Sequence, residues 1–219
     1  MLCNKKAHPD KDFGNNMSEF DFWSFITADP FGPSTESLLG AHLPVVHWFV
    51  PPLSRHSGGH INLFRFLCGL EERGFRCNVV IVNNGTLETK RLDPAEAKRS
   101  INDWYGPFGG QVFYADDPKI PPCHAAVATG WQTAYIVRAF TGAVHKCYFV
   151  QDFEPWFFPH GAESAFAEET YSFGFTGFTA GGWLARKLRS EYGMRTQALS
   201  FSLDQERYRP LPKRQPEVK

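Results

Sequence analysis

The densest group of polar and aromatic side chains follows a short apolar run that ends at Val150. The segment is Gln151-Asp152-Phe153-Glu154-Pro155-Trp156-Phe157-Phe158-Pro159-His160, with two carboxylates, an amide, an indole and an imidazole. A carboxylate at the end of a buried strand can be held rigidly, and burial can adjust its pKa for acid, base or electrostatic work. We therefore expect a functional site here, with the Asp152 carboxylate fixed and partly dehydrated by its aromatic neighbours. A pair of solvated loop carboxylates is the alternative.

A glycine pair lies between another apolar run and a helical pattern, in Ser57-Gly58-Gly59-His60. Glycine lets backbone N–H groups approach an anion closely, and a helix N-terminus favours negative charge. The spacing matches neither a dinucleotide-binding fingerprint nor a Walker loop. A plain tight turn explains the pair equally well.

Two further turns combine glycine with tryptophan. In Thr129-Gly130-Trp131-Gln132 the indole could stack on a sugar, although packing between helix and sheet is slightly favoured. Gly181-Gly182-Trp183 repeats the glycine pair at a helix start, where close packing is the favoured role.

These turns belong to a regular alternation of apolar strands and helices, which predicts an α/β fold: a Rossmann-like parallel sheet with helices on both faces. Ligands of such sheets bind beyond the carboxyl ends of the strands, so the loops 51–60, 129–132, 151–161 and 180–183 should share one edge. The expected strands are 45–50, 78–82, 111–114, 125–129, 147–151, 177–179 and 196–200. The expected helices are 61–73, 94–105, 131–140, 162–171 and 182–192.

The 219 residues predict one domain at 43–205, a partly disordered N-terminal extension at 1–42 and the start of an interdomain linker at 206–219. Basic and acidic residues number 23 each, which disfavours a nucleic-acid partner. Five scattered cysteines without a C-x-x-C pair favour reduced thiols in the cytoplasm and disfavour structural zinc. No stretch reaches the length of a membrane span, so any membrane association should be peripheral, at the inner membrane face. The chain has no G-x-S-x-G or H-E-x-x-H motif and no D-x-D motif that follows a predicted strand, which weakens the hydrolase, zinc-protease and metal-dependent transferase hypotheses.

Several of these segments together resemble a known family. They are Phe49-Val50-Pro51-Pro52 with Ser57-Gly58-Gly59-His60, the turn Ala128-Thr129-Gly130-Trp131-Gln132-Thr133, and above all Tyr148-Phe149-Val150-Gln151-Asp152-Phe153-Glu154-Pro155. Residues 43–210 resemble the N-terminal half of retaining family 4 rhamnosyltransferases with the GT-B fold. The exit Leu203-Asp204-Gln205-Glu206-Arg207-Tyr208-Arg209-Pro210 is similar to the element that leads into their nucleotide-sugar domain.

The resemblance implies a metal-independent enzyme without a cofactor, which transfers a sugar from a nucleotide-sugar, dTDP-L-rhamnose being expected, to a growing glycan acceptor. It implies that a C-terminal domain absent from this chain holds the nucleotide, so the isolated chain should be inactive. Asp152 would be the catalytic residue, beside the reacting carbon. Donor contacts are expected from Gly58, Gly59 and His60, and sugar or acceptor contacts from Gly130, Trp131, Gln151, Glu154 and Trp156.

Two other functions compete with this hypothesis. The first is a stand-alone carbohydrate- or nucleotide-binding module without catalysis. The second is a Rossmann-type oxidoreductase or epimerase, which predicts an acidic residue at the end of the second strand to bind a ribose. That strand ends in Val82-Asn83-Asn84-Gly85, so this alternative is the weakest.

Overall fold

The computed structural model describes residues 23–38, 42–83 and 91–200, and it contains one sheet of seven strands in the order β3-β2-β1-β4-β5-β6-β7. Every pairing is parallel, which confirms the predicted Rossmann-like sheet. The chain moves outward from β1 to β3 and then returns to build β4 to β7 on the other side of β1. The strands are β1 Val45–Val50, β2 Arg76–Ile81, β3 Val112–Tyr114, β4 Cys123–Ala128, β5 Ala143–Val150, β6 Thr176–Ala180 and β7 Arg195–Leu199.

Five α-helices cover the sheet in the described residues. The first two bury Leu63, Phe64 and Ile101 against one face. The third and fifth bury Ala134, Val137 and Leu184 against the other face. Helices thus lie on both faces, as predicted, and this is why the central strands carry nearly continuous apolar runs. The helices are α1 Gly58–Glu71, α2 Pro94–Tyr105, α3 Trp131–Ala139, α4 Ala162–Glu169 and α5 Gly182–Tyr192.

Some boundaries differ from the prediction for local reasons. Helix α1 begins three residues early because Ser57 caps it: the Ser57 hydroxyl accepts a hydrogen bond from the His60 N–H at 3.3 Å. Strand β5 begins four residues early, at Ala143, because its first half, Ala143-Val144-His145-Lys146, pairs with β4 although it shows no apolar pattern in the sequence. Helix α5 ends as predicted, because Gly193 adopts a left-handed conformation with φ of 65°.

The segment before the sheet also packs on the domain. A 3-10 turn at Ser24–Thr27 buries Phe25, and Phe31 forms an isolated bridge with Phe140. Part of the predicted extension 1–42 therefore belongs to the folded core. Residues 1–22 of that extension and the exit element at 203–210 lie outside the described residues. No helix among those described is long and apolar enough to cross a membrane.

Candidate functional site

Four loops with unusual composition follow neighbouring strands at one edge of the sheet. Phe49 of β1 pairs with Ala128 of β4, Ala128 pairs with Tyr148 of β5, and Val150 pairs with Thr179 of β6. Because all these strands are parallel, their carboxyl ends meet at the same edge, which confirms the predicted grouping of the loops. The direction of strand addition reverses between β1 and β4, and such reversal points are where ligands of open α/β sheets bind.

The glycine pair opens helix α1 at this edge. Gly58 is exposed, and a Cβ atom built on it would meet nothing within 4 Å. A Cβ on Gly59 would stand 3.3 Å from the Nε2 atom of Gln151. An anion could therefore approach the helix start over Gly58, whereas Gly59 faces a protein side chain. Donor contact by either glycine stays a prediction.

Gln151 connects this helix to the loop after β5. Its Oε1 atom accepts a hydrogen bond from Asn62 Nδ2 at 3.0 Å, and its Nε2 atom donates to the Gly59 carbonyl at 3.3 Å. Both ends of the amide are thus engaged within the protein. The role that the structure gives Gln151 is to hold two loops of the site together, and Asn62, which sequence reasoning missed, shares that role.

The His60 side chain lies beneath the loop that follows β1 and is only 7 % exposed. Its ring stacks near Phe64 and Tyr105, and burial lowers its pKa, which favours the neutral form. The Tyr105 hydroxyl donates to the Ser54 carbonyl at 2.7 Å, which ties the loop down from the same side. The structure therefore places the imidazole in the interior and not at the surface where a donor would bind.

The two carboxylates after β5 have different surroundings. Asp152 is exposed, and its Oδ1 atom accepts the Phe153 N–H at 2.7 Å. The expected dehydration of Asp152 is wrong for this chain, because the neighbouring Trp156 and Phe157 side chains point into solvent and leave the carboxylate uncovered. An exposed carboxylate in the loop after β5, one strand away from the reversal point, can face a bound ligand directly, so the catalytic role of Asp152 stays a prediction.

Glu154 is the buried carboxylate of this loop, with 9 % exposure. Its Oε2 atom accepts the Trp131 N–H at 2.8 Å at the start of α3, and its Oε1 atom accepts the Tyr148 hydroxyl at 2.7 Å. Burial raises the pKa of Glu154 to about 7, although both hydrogen bonds favour the charged form. A carboxylate against a helix N-terminus also complements the helix dipole.

The backbone between the two carboxylates is held from below by Tyr171. Its hydroxyl accepts the Glu154 N–H at 3.0 Å and contacts the Asp152 carbonyl oxygen at 3.5 Å. Glu154 and Tyr171 together fix the turn that presents Asp152. Glu154 was predicted to shape a sugar site by contact, and the structure instead gives it a supporting position inside the protein.

The tryptophans of the site, like its carboxylates, divide into buried and exposed residues. Trp131 is 2 % exposed and packs against Phe25 and Tyr135, which agrees with the alternative that it packs in the interior and does not stack on a sugar. Gly130, which precedes it, has an extended backbone. Trp156 is 66 % exposed and can contact a ligand. Trp183, for which sequence reasoning favoured no ligand role, is 49 % exposed beside it.

Fold and site together define a Rossmann-like α/β domain with its candidate site at the reversal point of the sheet. No protein-family model matches the chain. Over 135 residues the chain is 33 % identical to the O-antigen biosynthesis protein RfbC of Myxococcus xanthus, a stretch that covers 59 % of this chain and 10 % of that protein. The matched region thus spans about a tenth of the relative's length.

Proposed function

We propose that this chain is the acceptor-side half of a glycosyltransferase of polysaccharide biosynthesis. Its most direct support is the similarity to a protein named for O-antigen biosynthesis, combined with a sheet edge that presents four glycine-, aromatic- and carboxylate-bearing loops at the reversal point. The proposed donor is a nucleotide-sugar, dTDP-L-rhamnose first, and the proposed acceptor is a growing glycan. A second, nucleotide-binding domain would close over this edge.

In the proposed reaction, the bond between the anomeric carbon and the diphosphate oxygen breaks, and the diphosphate leaves with the bonding electrons. The acceptor hydroxyl oxygen bonds to the anomeric carbon on the same face of the sugar, and its proton passes to the departing diphosphate. Positive charge develops on the sugar ring during this exchange. A fixed carboxylate beside the ring stabilises that charge, and this is the role we propose for Asp152.

The remaining residues support this geometry. The exposed start of α1 at Gly58 would face the donor diphosphate through backbone N–H groups. Gln151 would keep that helix start in register with the Asp152 loop through its bonds to Asn62 and Gly59. The proposed location is the cytoplasm, since five scattered cysteines without a C-x-x-C pair favour reduced thiols.

A carbohydrate-binding module without catalysis is the second candidate, and the exposed indoles of Trp156 and Trp183 favour it. Sugar binding is common to both candidates, but only the enzyme depends on the charge of Asp152. The enzyme proposal therefore predicts that a change at Asp152 alters turnover, whereas the binding-module proposal predicts that the same change has no effect.

The test is transfer of radiolabelled rhamnose from dTDP-L-rhamnose to membrane-extracted glycan by the full-length protein. Asp152→Asn should lower kcat by about a hundredfold, because a preorganised charge is lost while shape is kept, and donor Kd should barely change. Asp103→Asn, at an exposed carboxylate on α2, is the matched control and should keep normal turnover. Normal kcat in Asp152→Asn would remove its catalytic role, and no transfer by the unmodified protein from any nucleotide-sugar would overturn the enzyme proposal.

A further inference from the structure

Exposed aromatic side chains gather at one place on the described surface. Trp156, Phe157 and Trp183 are 66, 62 and 49 % exposed, whereas Trp48 and Trp131 are 4 and 2 % exposed. The rings of Trp156 and Trp183 are in contact, with centroids 5.6 Å apart and planes tilted by 38°. Trp156 and Trp183 form the tryptophan pair of this surface. A large exposed aromatic patch on a folded domain often marks a binding site, whereas single exposed aromatic residues need no such explanation.

The tryptophan pair is supported from beneath. Phe153, only 4 % exposed, contacts Trp156 with ring centroids 5.0 Å apart. The Lys187 ammonium lies 4.4 Å from the Phe153 ring centre and 5.6 Å from that of Trp156, and it pairs with Glu191 at 2.6 Å. The Trp156 ring is therefore held in place before any ligand arrives, which lowers the entropy lost on binding.

The position of the pair links it to the candidate site. Trp156 lies in the 3-10 turn Glu154–Phe157 after β5, and Trp183 lies in the first turn of α5 after β6. Because β5 and β6 are paired neighbours, both indoles lie at the same sheet edge as Asp152. A ligand on the pair would extend from the reacting position outward along this edge.

We infer that the tryptophan pair is a stacking surface for the sugar rings of a saccharide acceptor, with Trp183 as a ligand-contacting residue. This inference rests on the proposed function. A sugar ring offers a face of C–H groups that packs on the electron-rich face of an indole, and hydroxyl groups at its rim that bond to polar side chains.

The surroundings of the pair favour this ligand over a lipid surface or a protein partner. Exposed Asp152 lies in the same loop as Trp156, and the Lys187–Glu191 ion pair lies on the helix that carries Trp183. A lipid or protein interface over the pair would bury these carboxylates and the lysine at a cost, whereas a saccharide can bond to them through its hydroxyl groups.

The test uses the 219-residue chain labelled with 5-fluorotryptophan, whose six indoles give separate ¹⁹F signals. A rhamnose tetrasaccharide, methyl α-L-rhamnoside and maltotetraose are titrated, with phosphatidylglycerol vesicles as a further arm. We expect saturable shifts of the Trp156 and Trp183 signals with at least one saccharide, and unchanged Trp104 and Trp131 signals. The tetrasaccharide should bind about fivefold to tenfold more tightly than the monosaccharide of the same sugar, since a second ring adds a second stacking contact.

Variants complete the test. Trp183→Ala should weaken saccharide binding at least about fivefold, and Trp183→Phe should restore part of it, because a smaller aromatic face remains. Trp104→Ala, at a half-buried indole on α2, is the matched control and should bind normally. Both site variants should fold, since the side chains removed are exposed; circular dichroism checks this.

Failure of this inference is distinguishable from failure of the proposed function. If no saccharide shifts the two signals, or only the vesicles do, the stacking surface is overturned, while rhamnose transfer by the full-length protein would still support the enzyme. If saccharides shift the signals and transfer is never found, the stacking surface stands and the binding-module candidate replaces the enzyme.

Discussion

At the scale of single residues, the loop after β5 separates two tasks between two carboxylates. Asp152 is exposed and can act on a ligand, whereas Glu154 is buried and bonds to the start of α3 and to Tyr148. A charge held inside the protein is expensive unless it is hydrogen-bonded, and here burial outweighs two hydrogen bonds and raises the pKa to about 7. The buried supporting residue Glu154 therefore changes its charge near neutral pH.

The buried Glu154 side chain should make the free energy of unfolding fall as pH rises towards neutrality. The pKa of Glu154 rises from 4.5 to about 7 on folding, so between these values the folded state binds more protons than the unfolded state. The stabilising contribution of Glu154 to the free energy of unfolding is therefore fully present below pH 4.5 and is lost as pH rises through 7. We expect Glu154→Gln to remove this loss of stability, on the order of 2–3 kcal/mol between pH 5 and 7.5, because its amide does not ionise. The amide oxygen can still accept the Trp131 N–H, and the amide nitrogen can donate to the Tyr148 hydroxyl oxygen. Urea unfolding at the two pH values measures it.

Two buried histidines make the comparison sharper because their contribution has the opposite sign. Burial lowers the pKa of both His47 and His60, so their contribution is present above pH 6.5 and is lost as pH falls. Glu154→Gln should therefore become less stable on acidification from pH 7 to 5. Glu96→Gln, at an exposed position on α2, is the control and should follow the unmodified protein. An unchanged pH profile in Glu154→Gln would show that Glu154 is already charged in the folded state.

At the scale of elements, the contact between α1 and the β5 loop passes through one amide side chain. Gln151 bonds to Asn62 and to the Gly59 carbonyl, and its Nε2 atom lies 3.3 Å from the position that a Cβ atom at residue 59 would take. Gly58, one residue earlier, has open space. The two glycines therefore differ in what a methyl group would meet, although both lie in the first turn of the same helix.

We predict that Gly58→Ala is neutral or stabilising, since alanine favours helix over glycine by about 0.5–1 kcal/mol. Gly59→Ala should be less stable than Gly58→Ala by about 1 kcal/mol, because the methyl group displaces Gln151 by a few tenths of an ångström and strains its bonds. In a Gln151→Ala background the difference should vanish. Equilibrium unfolding of the four variants measures this, and a difference that persists without Gln151 would show that the two loops are not coupled through this amide.

The elements themselves were largely predictable, and the exceptions have local causes. Strand β1, helix α2 and helix α5 match their predicted bounds, because their apolar periods and end signals agree. The early start of α1 depends on a serine cap that outweighs two glycines, and the early start of β5 depends on pairing with β4, which no apolar pattern announces. The local sequence contains the apolar periodicity and the capping residues of an element. Which strands it pairs with depends on the whole sheet.

The site was less predictable than the elements. The sequence placed the four loops at one edge correctly, because the rule for parallel sheets needs only strand order and direction. It did not distinguish exposed from buried side chains within those loops. Trp131 and Trp183 both follow a glycine at a helix start, yet one packs against Phe25 from a distant segment and the other lies in solvent.

At the scale of the whole molecule, the N-terminal segment is connected to the site through a continuous series of contacts. Phe25, 6 % exposed, packs against Trp131 and Tyr135 with ring centroids 5.5 and 5.9 Å away. Trp131 is the first residue of α3, and its N–H binds Glu154, which supports the turn that presents Asp152. Phe25, which is far from the site in sequence, therefore helps to hold the loop that carries Asp152.

We predict that Phe25→Ala lowers the free energy of unfolding by about 3 kcal/mol, the cost of removing a buried phenylalanine from a packed cluster. Because the cavity opens beside Trp131, amide exchange of Trp131 and Glu154 should accelerate more than that of β2, which lies on the opposite side of β1. Ile26→Ala, half-buried in the same turn, is the control and should cost clearly less. Hydrogen exchange read by NMR measures both effects. Equal acceleration of exchange throughout the sheet would mean that Phe25 stabilises the domain as a whole, and that the N-terminal segment has no particular connection to the loop bearing Asp152.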